Sequence, residues 1–281
     1  MIAAAFAYFR PQTLPDAVSL LVQHGEDAKI LAGGHSLIPS MKLRLAQPKT
    51  LIDIGRIADL NYVREQDGRI AIGAMTTHHE IEAASLLREK CPLLPELAAT
   101  IGDVQVRHRG TMGGSLVHAD PAGDWPAAIL ALDAELEAVG PGGSRLIQAR
   151  KFFVDLFQTA LRPNEILREI RVPITARSVA YVKFAQRASG FAIAGAAVVV
   201  NAEKKTVSVG ITGVAAKPYR AGAVEKKLKG QPLTPENIAA AAQKAANRIE
   251  PLNDIHASAE YRKHLAQVSA KRALELAAAR L

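Results

Sequence analysis

Two glycine pairs, far apart along the chain, constrain this protein more than any other feature. Gly33-Gly34 sits in the expected loop Ala32–Ser36 (AGGHS), and Gly113-Gly114 sits in the longer expected loop Thr111–Asp124 (TMGGSLVHADPAGD). Each pair stands beside hydroxyl or imidazole side chains, and each follows an apolar run that reads as a strand. Without a Cβ in the way, backbone N–H groups can turn toward an anion and phosphate oxygens can come against the chain. One Gly-Gly pair alone is ordinary turn chemistry. Two such segments invite a diphosphate held between two arms. The sequence contains no G-x-x-x-x-G-K-S/T, and no G-x-G-x-x-G after a strand with an acidic residue about 20 positions on, which disfavours P-loop kinases and Rossmann dehydrogenases. Gly210-Ile-Thr-Gly213 lies inside an apolar run and reads as strand.

The pattern around the two segments is mixed α/β. Leu14, Ala17, Val18, Leu21 and Val22 recur at helical spacing, with Thr13 and Asp16 near the start and Gly25 at the end. Lys29–Ala32 reads as a short buried strand feeding the first arm, and Thr50–Ile54 and Arg69–Ile72 as further strands. Thr77 with Glu80 forms a capping box for a helix through about Arg88. Pro92 and Pro95 open a short helix that Gly102 ends, Val104–Val106 reads as a strand entering the second arm, and Pro126–Leu132 as a helix leaving it. Glu135–Val139 and Arg145–Gln148 flank the turn Gly140-Pro-Gly-Gly143 as a hairpin, and Ile166–Val172 is a strand stopped by Pro173. From residue 177 onward three β-rich runs (Val179–Ala185, Phe191–Asn201, Thr206–Val214) precede Ala-, Lys- and Glu-rich helices, which marks a separate C-terminal subdomain.

Composition closes off several classes. With 281 residues, 49% of them hydrophobic, the chain can bury a real core over two or three subdomains. Its net charge of +8 suits an anionic ligand or an acidic partner. The cations are scattered and few aromatics lie among them, so nucleic acid is not the expected partner. The longest uncharged apolar stretch, Phe191–Val200, is far shorter than the ~20 residues of a membrane span. MIAAAFAYFRP lacks the basic start of a secretory signal. Cys91 is the single cysteine, which points to a reducing compartment and cannot supply the roughly four thiolates of an iron–sulfur cluster. If this chain handles electrons, its cofactor is organic.

The polar residues offer few reaction centres. His35 and His118 lie in the two arms, where a lone histidine is usually a turn residue. Adjacent His78 and His79, with His108 further on, make a poor chelate, because neighbours on a helix point about 100° apart. Asp120 and Asp124 could act as an acid/base pair; the plainer reading is that Asp120 begins a turn and Asp124 starts a helix. Lys183 lies on an expected strand and can be a solvated edge residue. No Ser-His-Asp set, nucleophile elbow or Cys-His pair supports a hydrolase.

Phe9-Arg10-Pro11, AGGHSLIPSMKLRLAQP at Ala32–Pro48, IGAMTTH at Ile72–His78 and RHRGTMGGSLVHADPAGDWPAA at Arg107–Ala128 follow one another in order. They continue through NEILREIRVP at Asn164–Pro173, KFAQRASGFAIAG at Lys183–Gly195 and SAEYRKHLAQVSAKRAL at Ser258–Leu274. Over essentially its whole length the chain resembles the FAD-binding medium subunit of molybdenum hydroxylases of the carbon monoxide dehydrogenase and xanthine dehydrogenase type. The resemblance implies an α+β protein: a two-subdomain FAD-binding fold of the vanillyl-alcohol oxidase (PCMH) type plus a C-terminal α+β domain, divided as 1–55, 56–176 and 177–281. It implies non-covalent FAD, with its pyrophosphate between the two arms at Ala32, Gly33, Gly34, His35 and Ser36 and at Thr111, Met112, Gly113, Gly114 and Ser115. Asp124 then accepts from the nucleotide portion, Ile166 and Leu167 line the cofactor, and Lys183 supplies a cation near the flavin ring.

Molybdopterin and 2Fe–2S clusters are expected only on partners, a large molybdopterin subunit and a small iron–sulfur subunit, assembled as a dimer of heterotrimers. The implied role is electron transfer from those clusters to an external acceptor such as a quinone, NAD or oxygen. The location is then cytoplasmic, or peripheral at the inner membrane through a quinone. The alternatives are a stand-alone flavin oxidoreductase of the same fold superfamily and an assembly subunit without cofactor, the latter opposed by both intact glycine pairs. Ser115 stands where many members carry Asn, and His118 where they carry a small residue; both keep hydrogen-bonding capacity.

Overall fold

The computed structural model describes residues 2–176 and 178–281, and three successive sheets organise the chain. Ala7–Phe9 and Ala28–Leu31 both pair in parallel with Thr50–Asp53 between them. Parallel neighbours require crossovers, and the helix Leu14–His24 provides one. The Thr13 hydroxyl accepts the N–H of Asp16 at its start, Pro15 stands in its first turn, and Gly25 at φ +52° ends it. Ala17, Val18 and Leu21 bury one face of that helix with Ala28, Ile52 and Ile54. The strand Ala28–Leu31 thereby delivers residues 32–36 to the carboxyl end of a parallel sheet, the position where open α/β sheets receive ligands.

The second sheet is antiparallel, in the order Val63–Gln66, Arg69–Gly73, Ile166–Pro173, Glu135–Gly140, Gly143–Gln148. The expected hairpin is present, with Glu135 opposite Gln148 and Gly140 opposite Gly143. Its core is shared with the helices Leu93–Ala98 and Trp125–Ala131. Every residue of Trp125–Ala131 is buried, because this helix also packs on the strands Ala192–Asn201 and Thr206–Thr212 of the third sheet. A helix that is apolar all round belongs in such a position. The third sheet runs Val179–Ala185, Ala192–Asn201, Thr206–Thr212, Tyr219–Arg220. The helix Ala259–Ala278 covers it with Leu265, Ala266, Ala270, Ala273 and Leu274. The expected subdomain boundary at Arg177 lies outside the described residues.

Three local expectations change. Val104–Val106 is no strand: the Asp103 carboxylate accepts the N–H of Val106 at 2.8 Å and opens a helical turn, Val104–Arg107. Two valines suggest β structure, but an N-cap satisfies the backbone of a turn so short. The Thr77–Glu80 capping box is present, yet its helix stops at Ala83; Ala84 is extended (ψ 113°) and a second helix, Ser85–Lys90, begins after it. Finally, the second glycine pair lies inside the helix Met112–His118, capped by Thr111, and not in a loop.

Cys91 is fully buried, and burial pushes its thiol up to about 12, with lesser opposing contributions from Thr175 and the backbone at Leu94. The thiolate is the reactive form. Cys91 is therefore expected to resist iodoacetamide at pH 8 in the folded protein and to react fully in guanidinium, as read by mass spectrometry; labelling of the folded chain at the unfolded rate would contradict this packing.

Candidate functional site

The turn at residues 74–78 sets the second arm in place. Thr77 and Thr111 form an isolated antiparallel bridge. The N–H groups of Met112 and Gly113 donate to the carbonyls of Thr76 and Ala74 at 3.0 and 2.9 Å, and that of His78 donates to Gly110 at 3.0 Å. Against this arm lies the first. A Cβ at Gly33 would run into the carbonyl oxygen of Arg109 and stand 2.9 Å from Gly110 Cα, while one at Gly114 would stand 3.3 Å from Ala32 Cβ. The two arms thus meet in a close seam, Gly33 against the Arg109–Gly110 backbone and Gly114 against the Ala32 Cβ.

The arms differ in what they leave open. On the second, every N–H at the helix start has a partner: Met112 and Gly113 as above, Gly114 on Thr111 Oγ1 at 3.1 Å, Ser115 on the Thr111 carbonyl at 3.0 Å. The glycines there serve close approach, since a Cβ at Gly113 would lie 2.8 Å from Ala74 Cα. Met112 turns its side chain into the core. On the first arm, the N–H groups of Gly33, Gly34, His35, Ser36 and Leu37 donate to no protein acceptor among the described residues. Gly34, at φ +79°, turns the chain through them. Successive free N–H groups at such a turn make an anion-binding concavity. The hydroxyl protons of Thr111 and Ser115 likewise have no acceptor among the described residues, and His35 is exposed on the first arm. The donors are those a phosphate needs.

Asp124 and Lys183 face each other in a buried pair. Asp124 takes the N-cap position of Trp125–Ala131 but caps nothing. One of its carboxylate oxygens accepts from Tyr181 Oη, and the other from Lys183 Nζ at 3.1 Å. Lys183 also donates to the carbonyls of Thr100 at 2.7 Å and Gly190 at 2.9 Å, so all three ammonium protons are used. Both side chains are almost fully buried, 5% and 7% exposed. Burial pushes the Asp124 carboxyl up and Lys183 pulls it back, whereas burial and Asp124 together raise the Tyr181 phenol well above its usual range. Lys183 is therefore no solvated edge residue. The pair ties the strand Val179–Ala185 to the turn at residue 100, the helix 125–131 and the turn at residue 190.

The remaining candidates scatter. Leu167 and Ile166 are buried on the strand Ile166–Pro173, Leu167 in the middle core and Ile166 in the N-terminal one. His118 lies at the far end of its helix, 5.1 Å from the Phe157 ring and 4.0 Å from Asp120. Asp120 does begin a turn, accepting the Ala122 N–H at 2.8 Å. The third sheet pins that turn: Gly213 N–H donates to the Pro121 carbonyl at 2.7 Å, and the Thr212 hydroxyl is shared between the carbonyls of Pro121 and Gly123. His79 stacks on His108, and no three-ligand metal cluster exists among the described residues. Gly110, His78, Trp125 and Tyr181 surround the site without having been singled out for it. A lone glycine in RHRGT was the only sequence signal for the first, and nothing local marks the others.

A row of free N–H groups on a glycine-lined seam, with free hydroxyls on the adjoining arm, fits the diphosphate of a dinucleotide such as FAD. The comparisons agree. Residues 4–175 match the family model described as the FAD binding domain in molybdopterin dehydrogenase, and residues 179–277 match the CO dehydrogenase flavoprotein C-terminal domain. The carbon monoxide dehydrogenase medium chain of Hydrogenophaga pseudoflava is 42% identical, over 100% of this chain and 99% of its own length. The nicotine 6-hydroxylase medium subunit of Paenarthrobacter nicotinovorans is 36% identical over 98% of each. Among solved structures, carbon monoxide dehydrogenase from Hydrogenophaga pseudoflava superposes with a TM-score of 0.96 at 43% identity, covering 100% of this chain and 99% of that one. Quinoline 2-oxidoreductase from Pseudomonas putida 86 superposes with 0.93 at 29%, covering 99% of each. Sequence, fold and site converge: this chain belongs to the FAD-binding flavoprotein family of the molybdenum-containing dehydrogenases, a family of oxidoreductase subunits.

Proposed function

We propose that the chain is the electron-transfer flavoprotein of a molybdenum hydroxylase complex, in which substrate oxidation takes place on a partner. The partners are a small iron–sulfur subunit and a large molybdopterin subunit, in a dimer of heterotrimers in the cytoplasm. Electrons arrive from 2Fe–2S clusters on the small subunit and leave to an external acceptor. When bound, FAD supplies the ability to accept electrons singly and deliver them in pairs. The lone, buried Cys91 supports this division, because the chain itself cannot hold a cluster.

The observation that carries the reading is the free N–H run of the first arm against the self-capped second arm. The N–H groups of Gly33 to Leu37 hold the diphosphate, the Thr111 and Ser115 hydroxyls face it from the other side, and Gly113 and Gly114 keep the arms close. Asp124 and Lys183 act as a buried clamp that fixes the walls around the ring system, with Leu167 in the layer beneath. The subdomains run 1–55, 56–176 and 177–281, and the parallel sheet, the five-stranded sheet and the third sheet each fall within one of them.

The test is cofactor content. Protein purified with whatever subunits accompany it is expected to release about one FAD per chain on heat denaturation. Release of FMN only, or of no flavin even after incubation with added FAD, would overturn the assignment.

A further inference from the structure

Beside the seam lies a buried imidazole that the preceding reading leaves without a role. Trp125 Nε1–H donates to His78 Nδ1 at 3.1 Å, with the two rings 5.7 Å apart. An indole nitrogen can only donate. Nδ1 is therefore unprotonated, and the proton of the neutral ring sits on Nε2. That edge of the ring lies over Gly110, where a Cβ would stand 2.6 Å from Nε2, and the His78 N–H holds the Gly110 carbonyl at 3.0 Å. Gly33 in turn rests on the Arg109–Gly110 peptide, against the Arg109 carbonyl and Gly110 Cα. Trp125, His78, Gly110 and Gly33 make one continuous stack from the core to the first arm.

Burial and two cationic neighbours oppose a positive charge on this imidazole. Burial comes first, then His35 from the first arm and Arg107 from the helix Val104–Arg107, and together they lower its pKa from 6.5 to about 4. Arg107 is held close by Glu82 at 2.9 Å and the Ile101 carbonyl at 3.1 Å, so it cannot swing away. A proton added to Nδ1 would face the indole N–H donor to donor and break the contact that seats the ring on Gly110.

We propose, resting on the FAD assignment above, that His78 is a positioning residue for the diphosphate: as a neutral Nε2–H imidazole locked by Trp125, it sets the seam between the arms and so sets FAD affinity. It touches no cofactor atom. Its effect passes through Gly110 to Gly33 and the free N–H groups beyond. Burial, His35 and Arg107 keep the ring neutral across the ordinary histidine range, and the indole fixes its tautomer and seat. Without the indole, Nδ1 loses the donor that holds the ring over Gly110, and the arm loses its support.

FAD affinity should therefore be measured by flavin fluorescence at pH 8 and pH 5 for wild type, Trp125→Phe, His78→Asn and the double variant Trp125→Phe/His78→Asn, each shown to be folded by a thermal melt. The expected result is a loss of at least tenfold for each single variant at both pH values, with the double variant no weaker than His78→Asn alone, because the indole acts only through the imidazole. His35 on the first arm is common to all four proteins, so only the difference between proteins reports His78. Wild-type affinity in either single variant, or losses that simply add in the double variant, overturns the proposal while leaving the FAD assignment standing. Failure of wild type to bind FAD at pH 8 overturns both.

A second measurement needs no variant. Trp125 is the only tryptophan, so the protein has one indole 1H–15N resonance. It should stay constant from pH 8 to pH 5 and shift only below. An indole N–H that titrates near pH 6.5 would also overturn the lock.

Discussion

Gly33→Val should strip FAD from the protein while leaving the fold in place. A Cβ at this position runs into the Arg109 carbonyl and stands 2.9 Å from Gly110 Cα, and both obstacles are backbone. No rotamer change can relieve the clash, so the first arm must lift from the second. Overpacking of this kind costs about 1–3 kcal/mol. Because residues 32–37 are secured mainly by their seat on the seam, most of that cost falls on FAD binding, which corresponds to roughly a 5- to 150-fold weaker Kd. Gly142 is the control: a Cβ there meets nothing within 4 Å, so Gly142→Ala should retain FAD like the wild type. Gly114→Val is expected to fall between, since it crowds the Thr111 hydroxyl at 2.7 Å and Ala32 at 3.3 Å and disturbs a cap that contributes about 1 kcal/mol. Flavin content at matched thermal stability separates the three; equal retention in Gly33→Val and wild type would show that the seam does not hold the cofactor.

Removing either partner of the buried pair should be the most destabilising change at the site. Asp124→Ala leaves the Lys183 ammonium sealed with only carbonyl partners, and Lys183→Met leaves the carboxylate with only the Tyr181 hydroxyl. Breaking one side of a buried ion pair costs about 3–5 kcal/mol, most of it the penalty of the orphaned charge. The double variant removes both charges and should lose clearly less than the sum of the singles. Urea denaturation of the four proteins measures this as a double-mutant cycle. Strictly additive losses would mean that the two groups do not depend on each other.

These two expectations rest on unequal kinds of legibility. The glycine pairs were readable at once, because a residue without Cβ advertises close approach whatever surrounds it. So were Thr13, Gly25 and the Thr77–Glu80 box, whose chemistry operates within a few residues. The segment Val104–Val106 was misread for the opposite reason. Its two valines suggest a strand, while Asp103, one position upstream, supplies the hydrogen bond that turns the chain helical. Asp124 and Lys183 stood out in the sequence, yet nothing in their neighbourhoods reveals that they face each other.

By itself the sequence determined the family, the order of strands and helices over most of the chain, the place of the hairpin and the two segments of the candidate site. It also determined that no cluster can be held here, because one thiol is too few. Only the tertiary structure decided how the two arms divide the work. Both carry Gly-Gly, yet Thr76, Ala74 and Thr111 consume the N–H groups of one arm, whereas those of the other stay free. It likewise decided that His78 meets Trp125 and that Lys183 is buried. The physical reason is common to all three. Conformational freedom and capping are local properties written in neighbouring residues, whereas the partner of a donor or a charge comes from whatever remote segment packing brings within 3 Å of it.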